Sequence, residues 1–201
     1  MKIIGLLDNY GSSIHTGTPP LLLLTDVSLL KSGKPFFVPD DDHEYCAFPS
    51  IAIKISRLGK SIPARLAHRY YTEAAAALNI RDITLLENLK ASSLPWTEAV
   101  AFDYSAPIGP FSPIGESLED NIITFRHFDS LGQELSPPVT FDPACLRLGA
   151  DRVIEALSQR FTLKDGDIIF LGYTPSCFAI APRQTIEAFS RKGERLIAKI
   201  R

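Results

Sequence analysis

An α+β chain, mostly β with few helices, is what three features of the sequence predict. Short apolar runs bounded by turn-forming residues recur along most of its 201 positions, as strands require. The clearest helical spacing is confined to one stretch, between Pro143 and Arg160. A hydrophobic content of 45% suffices for a substantial core, and no linker, repeat or low-complexity run divides the chain, so a single domain over residues 1–201 is expected.

The elements follow in order. Lys2 to Leu7 reads as a first strand that ends at the turn Asp8-Asn9-Tyr10-Gly11, which places residues 9–16 in a loop. Apolar runs at Leu21 to Leu24 and Phe36 to Val38 flank the breaker Ser32-Gly33-Lys34-Pro35. Ile51, Ile53 and Ile55 alternate with Ala52 and Lys54, a strand pattern. Pro63 suits the first turn of a short helix through Tyr70, because its missing N–H costs nothing there. Helix propensity in Glu73-Ala74-Ala75-Ala76-Ala77-Leu78 competes with a strand, and we assign a strand for the reason given below. Leu85, Leu86 and Leu89 predict a helix ending near Ser92-Ser93. Between Pro143 and Arg160, with Asp142 as candidate cap, Ala150, Val153, Ile154, Leu157 and Phe161 form the core stripe of a helix. Strands close the chain at Asp167 to Leu171, Thr185 to Phe189 and Arg195 to Ile200. The proline-bearing stretches Pro107 to Pro113 and Ser136-Pro137-Pro138 read as ordered loops.

Composition excludes several function classes. The net charge of −2 has no basic stripe for a phosphate backbone, so nucleic acid is not an expected partner. The N-terminal apolar run breaks at Asp8 and Leu21 to Leu24 is far too short to span a bilayer; a cytoplasmic protein without membrane contact is expected. Cys46, Cys145 and Cys177 are too widely spaced for a zinc knuckle, and all three are expected to be small buried hydrophobes.

Several blocks, in order, resemble one family. The segment Leu94-Pro95-Trp96-Thr97 through Phe102-Asp103-Tyr104-Ser105-Ala106-Pro107-Ile108-Gly109-Pro110 is similar to the signature of the fumarylacetoacetate hydrolase family, in its short bacterial isomerase-like branch. Met1-Lys2-Ile3-Ile4 with Asn9-Tyr10, Leu29 to Asp40, Arg57 to Ile62, Ala67 to Tyr71 and Phe161 to Gly172 carry the resemblance further, and residues 111–145 match least. It implies a compact, mostly β fold, a strand through the alanine run, a homodimer, and hydrolase, isomerase or decarboxylase chemistry on 2-oxo or 2,4-dioxo acids. A divalent cation held by Glu-x-Glu and a downstream Asp is implied as well, because such chemistry builds negative charge on oxygen that a cation stabilises.

At the positions to which the resemblance assigns that chemistry, this chain departs from the pattern. The two glutamates fall on Phe48 and Ser50, the aspartate on Asn79 (or Ala77, if Arg81-Asp82 sets the alignment), the lysine on Val100 and the loop histidine on Ser13. No carboxylate remains for a hard cation. The expectation is therefore a pseudoenzyme with no catalytic residues, no metal and no cofactor, retaining a small 2-oxo-acid site or a regulatory role in association with an active relative. Asn9, Tyr10, Ser50, Asn79 and Thr174 are the expected ligand-binding residues. The alternative is an active hydrolase or isomerase with a rebuilt site that uses His15, Ser50, Asn79 and Thr174. Gly172-Tyr173-Thr174-Pro175 carries an extra tyrosine, expected to narrow the pocket. Asp40-Asp41-Asp42-His43-Glu44 reads as a solvated acidic turn rather than a calcium loop, His68 as helix surface, His127 as strand surface and Asp103 as a structural hydrogen-bonding residue.

Overall fold

The computed structural model describes residues 1–11, 17–40, 42–190, 193 and 195–201, and it is mostly β, as expected. Strands β1 (Ile3–Leu6), β2 (Leu21–Leu24), β3 (Leu29–Lys31), β4 (Pro35–Phe36) and β5 (Tyr45–Ile55) lead to helix α1 (Ala64–Ala67). There follow β6 (Tyr71–Asp82), α2 (Ile83–Ala91), β7 (Ala106–Ile108), β8 (Ser112–Pro113), β9 (Ile123–Phe128) and β10 (Glu134–Phe141). The chain finishes with α3 (Ala150–Arg160), β11 (Ile168–Tyr173), β12 (Phe178–Ile180), β13 (Thr185–Ser190) and β14 (Arg195–Ile200). Among the described residues no helix is long and apolar enough to cross a membrane.

Two sheets result. The larger runs β2-β1-β11-β5-β6-β7-β3, with β12 added on β5 and β8 on β6; the smaller runs β10-β9-β13-β14-β4. Side-chain alternation on β5 and β6 explains how one pair of strands serves two interiors. Ile51, Ile53 and Ile55 with Leu78 and Ile80 face the smaller sheet and α3, packing with Phe125, Phe141, Ile186 and Leu157. Their neighbours Ala52, Ala75 and Ala77 face the other way, into a second cluster with Phe170, Tyr173, Leu86 and Val100, against which Phe48 and Trp96 pack. The alanine run is thus a strand because it lies between β5 and β7, where small side chains fit and the ladder to β5 supplies the backbone's hydrogen bonds; tertiary context overrides its helix propensity.

Several expectations need correction. Asp142 caps a single turn at Pro143–Cys145, its carboxylate accepting from the Ala144 N–H at 2.9 Å, while α3 starts only at Ala150. The Ser136-Pro137-Pro138 segment is strand, not loop: it lies in β10 at the sheet edge, where a register shift between Ser136 and Val139 leaves both prolines out of the ladder to β9. Pro107 likewise lies in β7 and Pro113 in β8, and β12 was not foreseen. His127 is buried, its Nε2 at 2.9 Å from Gln184 Oε1 and its ring against Phe178, so it is not surface. His68 is exposed, in agreement. Cys46 and Cys177 are half-buried and Cys145 is exposed, so none is the sealed hydrophobe expected. Asp103 is exposed; the hydrogen bond at that turn belongs to Ser105, whose hydroxyl donates to the Phe102 carbonyl at 2.6 Å.

Candidate functional site

Alternation also builds the site. Phe48 pairs with Asn79 and Cys46 with Arg81 across β5 and β6, so these side chains share the face turned away from the smaller sheet. Helix α2 and the segment around Trp96 and Val100 form the opposite wall, and the turn Asp8 to Tyr10 and the exit of β11 form the rim. Together they enclose a cleft of about 410 Å³, whose lining includes Tyr10, Phe48, Arg81, Trp96, Tyr173 and Thr174.

Arg81 is the centre of this cleft. Its guanidinium carbon stands 4.1 Å from the Phe48 ring centroid and 4.7 Å from that of Tyr173, so the cation lies over two aromatic faces. Its Nε donates to Asn79 Oδ1 at 2.8 Å. Nη2 is buried and has no hydrogen-bond partner among the described residues, and the same holds for the Tyr173 hydroxyl. Burial pulls the guanidinium down from its ordinary pKa and pushes the Tyr173 phenol up. Tyr173 reaches its place because residue 5 is glycine: a Cβ there would collide with the hydroxyl.

The five expected ligand-binding residues divide. Tyr10 and Thr174 line the cleft. The Tyr10 hydroxyl accepts from the Asp142 N–H at 3.0 Å, and the Thr174 hydroxyl donates to the Ser176 carbonyl at 2.7 Å. Asn9, Ser50 and Asn79 are fully buried behind the wall, with their polar atoms committed elsewhere. Asn9 Nδ2 donates to the Leu171 and Leu148 carbonyls at 2.6 and 3.0 Å, and its Oδ1 accepts from the Leu148 N–H at 2.9 Å. The Ser50 hydroxyl donates to the Gly172 carbonyl at 2.6 Å; Asn79 Nδ2 donates to the Val100 carbonyl at 3.0 Å. These three hold the walls together through those bonds. Ser13 and His15 lie outside the described residues, as does Asp41. Sequence reasoning missed Arg81, which served only to test an alignment; the available signal was a lone cation on the strand face that carries Asn79. The extra Tyr173 does line the cleft, as expected. Among the described residues, no group of three His, Cys, Asp or Glu side chains is placed to hold a metal ion.

Asp82 ends β6 and fixes α2 against the cleft. One carboxylate oxygen accepts from the Leu85 N–H at 2.8 Å, capping the helix, and the other meets His43 Nδ1 at 2.7 Å. The Asp82 hydrogen bond, helped by Asp40 and Asp42, raises the His43 pKa. A raised pKa means that His43 stabilises the fold most below its ordinary value of about 6.5, and that this contribution is lost as pH rises through the folded pKa. Proton NMR should therefore place the His43 titration above the ordinary histidine value. The midpoint of urea unfolding should fall across the same interval, and His43→Gln should remove that fall.

No family model matches the chain. It is 26% identical over 204 residues to an uncharacterized protein of Pyrococcus abyssi, covering 94% of this chain and 84% of the relative. To the mitochondrial oxaloacetate tautomerase of Rattus norvegicus it is 24% identical over 170 residues, covering 85% and 75%. Its fold matches that of fumarylpyruvate hydrolase from Pseudomonas aeruginosa, solved with Mn²⁺ and pyruvate, with a TM-score of 0.84 at 19% identity over 100% of this chain and 89% of that one. With the strand order and the two-sheet core in agreement, the chain has the fold of the fumarylacetoacetate hydrolase family's solved members and is similar in sequence to its oxaloacetate tautomerases.

Proposed function

We propose that the chain is a pseudoenzyme of this family that binds a small 2-oxo acid without a metal, the Arg81 guanidinium anchoring its carboxylate, in a regulatory role or beside an active relative. The observation that carries this reading is the caged guanidinium with its buried, unpartnered Nη2. A buried donor without a partner costs about 1–3 kcal/mol, and an anion in the cleft removes that cost. Guanidinium presents its N–H groups in a planar fork that matches a carboxylate. The ligand class is drawn from the relatives, one of which was solved with pyruvate and another of which acts on oxaloacetate.

The donor set does not fit a divalent cation. Phe48 offers no oxygen, the Ser50 hydroxyl is turned to a carbonyl, and Asn79 Oδ1 already accepts from Arg81. Charge argues the same way: a unit pair at about 4 Å is worth roughly 4 kcal/mol at an effective dielectric of 20, so a dication there meets about twice that in repulsion from Arg81.

Calorimetry on metal-stripped protein tests this. Mn²⁺ and Mg²⁺ should show no near-stoichiometric binding, while oxalate and pyruvate bind in the presence of EDTA. Oxaloacetate tautomerisation and acylpyruvate hydrolysis should show no metal-dependent turnover. Stoichiometric Mn²⁺ uptake with turnover would instead establish an active enzyme with a rebuilt site.

A further inference from the structure

Strand β5 has β12 on one side and β6 on the other, and the two registers meet at Cys46. Ala179 stands opposite it on β12 and Arg81 opposite it on β6. Phe178 pairs with Ala47, so the next residue back, Cys177, falls opposite Phe48 and on the face that carries Cys46, Phe48 and Arg81. The two thiols are therefore diagonal neighbours across β5 and β12. They interact with each other and with the Arg81 guanidinium. Both are half-buried, whereas Cys145 is exposed on the turn before α3.

We propose that Cys177 and Cys46 form a peroxide-reactive dithiol that closes to an intrachain disulfide at the edge of the Arg81 cleft. The two sulfurs are unequal. The hydrogen bond with Cys46 comes first, and with Arg81 nearby it pulls the Cys177 thiol down to about 7. The same bond, with burial, pushes Cys46 up. Cys177 is thus the attacking thiolate and Cys46 the thiol that resolves it.

In the first step the Cys177 thiolate attacks one oxygen of hydrogen peroxide. The S–O bond forms, the O–O bond breaks, and the departing hydroxide takes a proton and leaves as water. Oxidising Cys177 removes the bond that chiefly held the proton on Cys46. Cys46 then gives its proton to solvent and attacks the sulfenic sulfur; the S–S bond forms and hydroxide leaves, again becoming water. In sum two thiols lose two protons and two electrons, and one peroxide takes them up to become two waters.

Diagonal neighbours sit roughly 7–8 Å apart at Cα, and a disulfide spans about 4.4–6.8 Å, so the chain must close slightly. The part that gives is the segment between β11 and β12, since Cys177 lies just outside the strand. That segment also carries Thr174 and Pro175 of the cleft wall, so oxidation reshapes the site.

The test treats the folded full-length protein with hydrogen peroxide, blocks free thiols, and maps peptides. A Cys46–Cys177 linkage with loss of two hydrogen atoms from the intact mass is expected. Before oxidation, iodoacetamide at pH 7 should alkylate Cys177 at least about tenfold faster than Cys46, because the thiolate reacts and the bond between the two sulfurs favours it on Cys177. In Cys46→Ser the reaction should stop at a Cys177 sulfenic acid that dimedone traps, and in Cys177→Ser neither adduct nor mass loss should form. An unchanged mass, a linkage through Cys145, or equal alkylation rates would overturn the proposal.

Discussion

Replacing Arg81 by methionine is expected to weaken oxalate and pyruvate binding by tenfold to roughly a hundredfold while leaving the fold intact. The affinity loss follows from removing a charge-assisted hydrogen bond, about 1.5–3 kcal/mol. The retained stability follows from the same burial that makes Arg81 suited to an anion. Its guanidinium is desolvated with one nitrogen unpaired, and removing that cost offsets the roughly 1–3 kcal/mol of leaving Asn79 Oδ1 without its donor. Arg81→Lys should keep the charge yet lose the planar fork and the stacking on Phe48 and Tyr173, giving an intermediate affinity. Calorimetry and thermal unfolding check both. An Arg81→Met protein that melts far below wild type with unchanged affinity would make Arg81 a structural residue.

Asn9→Ala is expected to do the opposite: lower stability by about 3–5 kcal/mol and leave the ligand affinity of the folded protein unchanged. The Asn9 amide satisfies the Leu171 and Leu148 carbonyls and the Leu148 N–H in a fully buried place. Truncation orphans three groups at about 1–3 kcal/mol each, only part of which solvent recovers. Against a typical domain stability of about 5–15 kcal/mol this is a large fraction. Urea unfolding measures it. Asn9 ties the loop after β1 to β11 and to the segment before α3, so a loss of affinity without loss of stability would return it to the ligand-binding set.

Legibility in the sequence followed locality. Strands such as β13 and β14 and the α3 stripe were readable because their pattern is carried by neighbouring residues. Residues 74–77 were not, since alanine fits a helix as well as a crowded sheet, and only the pairing with β5 and β7 decides between them. The β9–β10 hairpin was hidden by Pro137 and Pro138, which an edge strand tolerates. At the site, the resemblance pointed to particular positions but not to the partners that their side chains find in the fold. Ser50 and Asn79 looked like ligand groups because they are polar at pocket positions; the Gly172 and Val100 carbonyls to which they donate are distant in the chain and leave no local mark.

A crystal structure of the full-length protein soaked with oxalate and manganese together is the most direct test of the guanidinium as the anion's anchor. The account predicts an oxalate carboxylate on Arg81 Nη2 between Phe48 and Tyr173, and no manganese beside Ser50 or Asn79. Manganese coordinated there, with oxalate chelating it and Arg81 turned away, would contradict it.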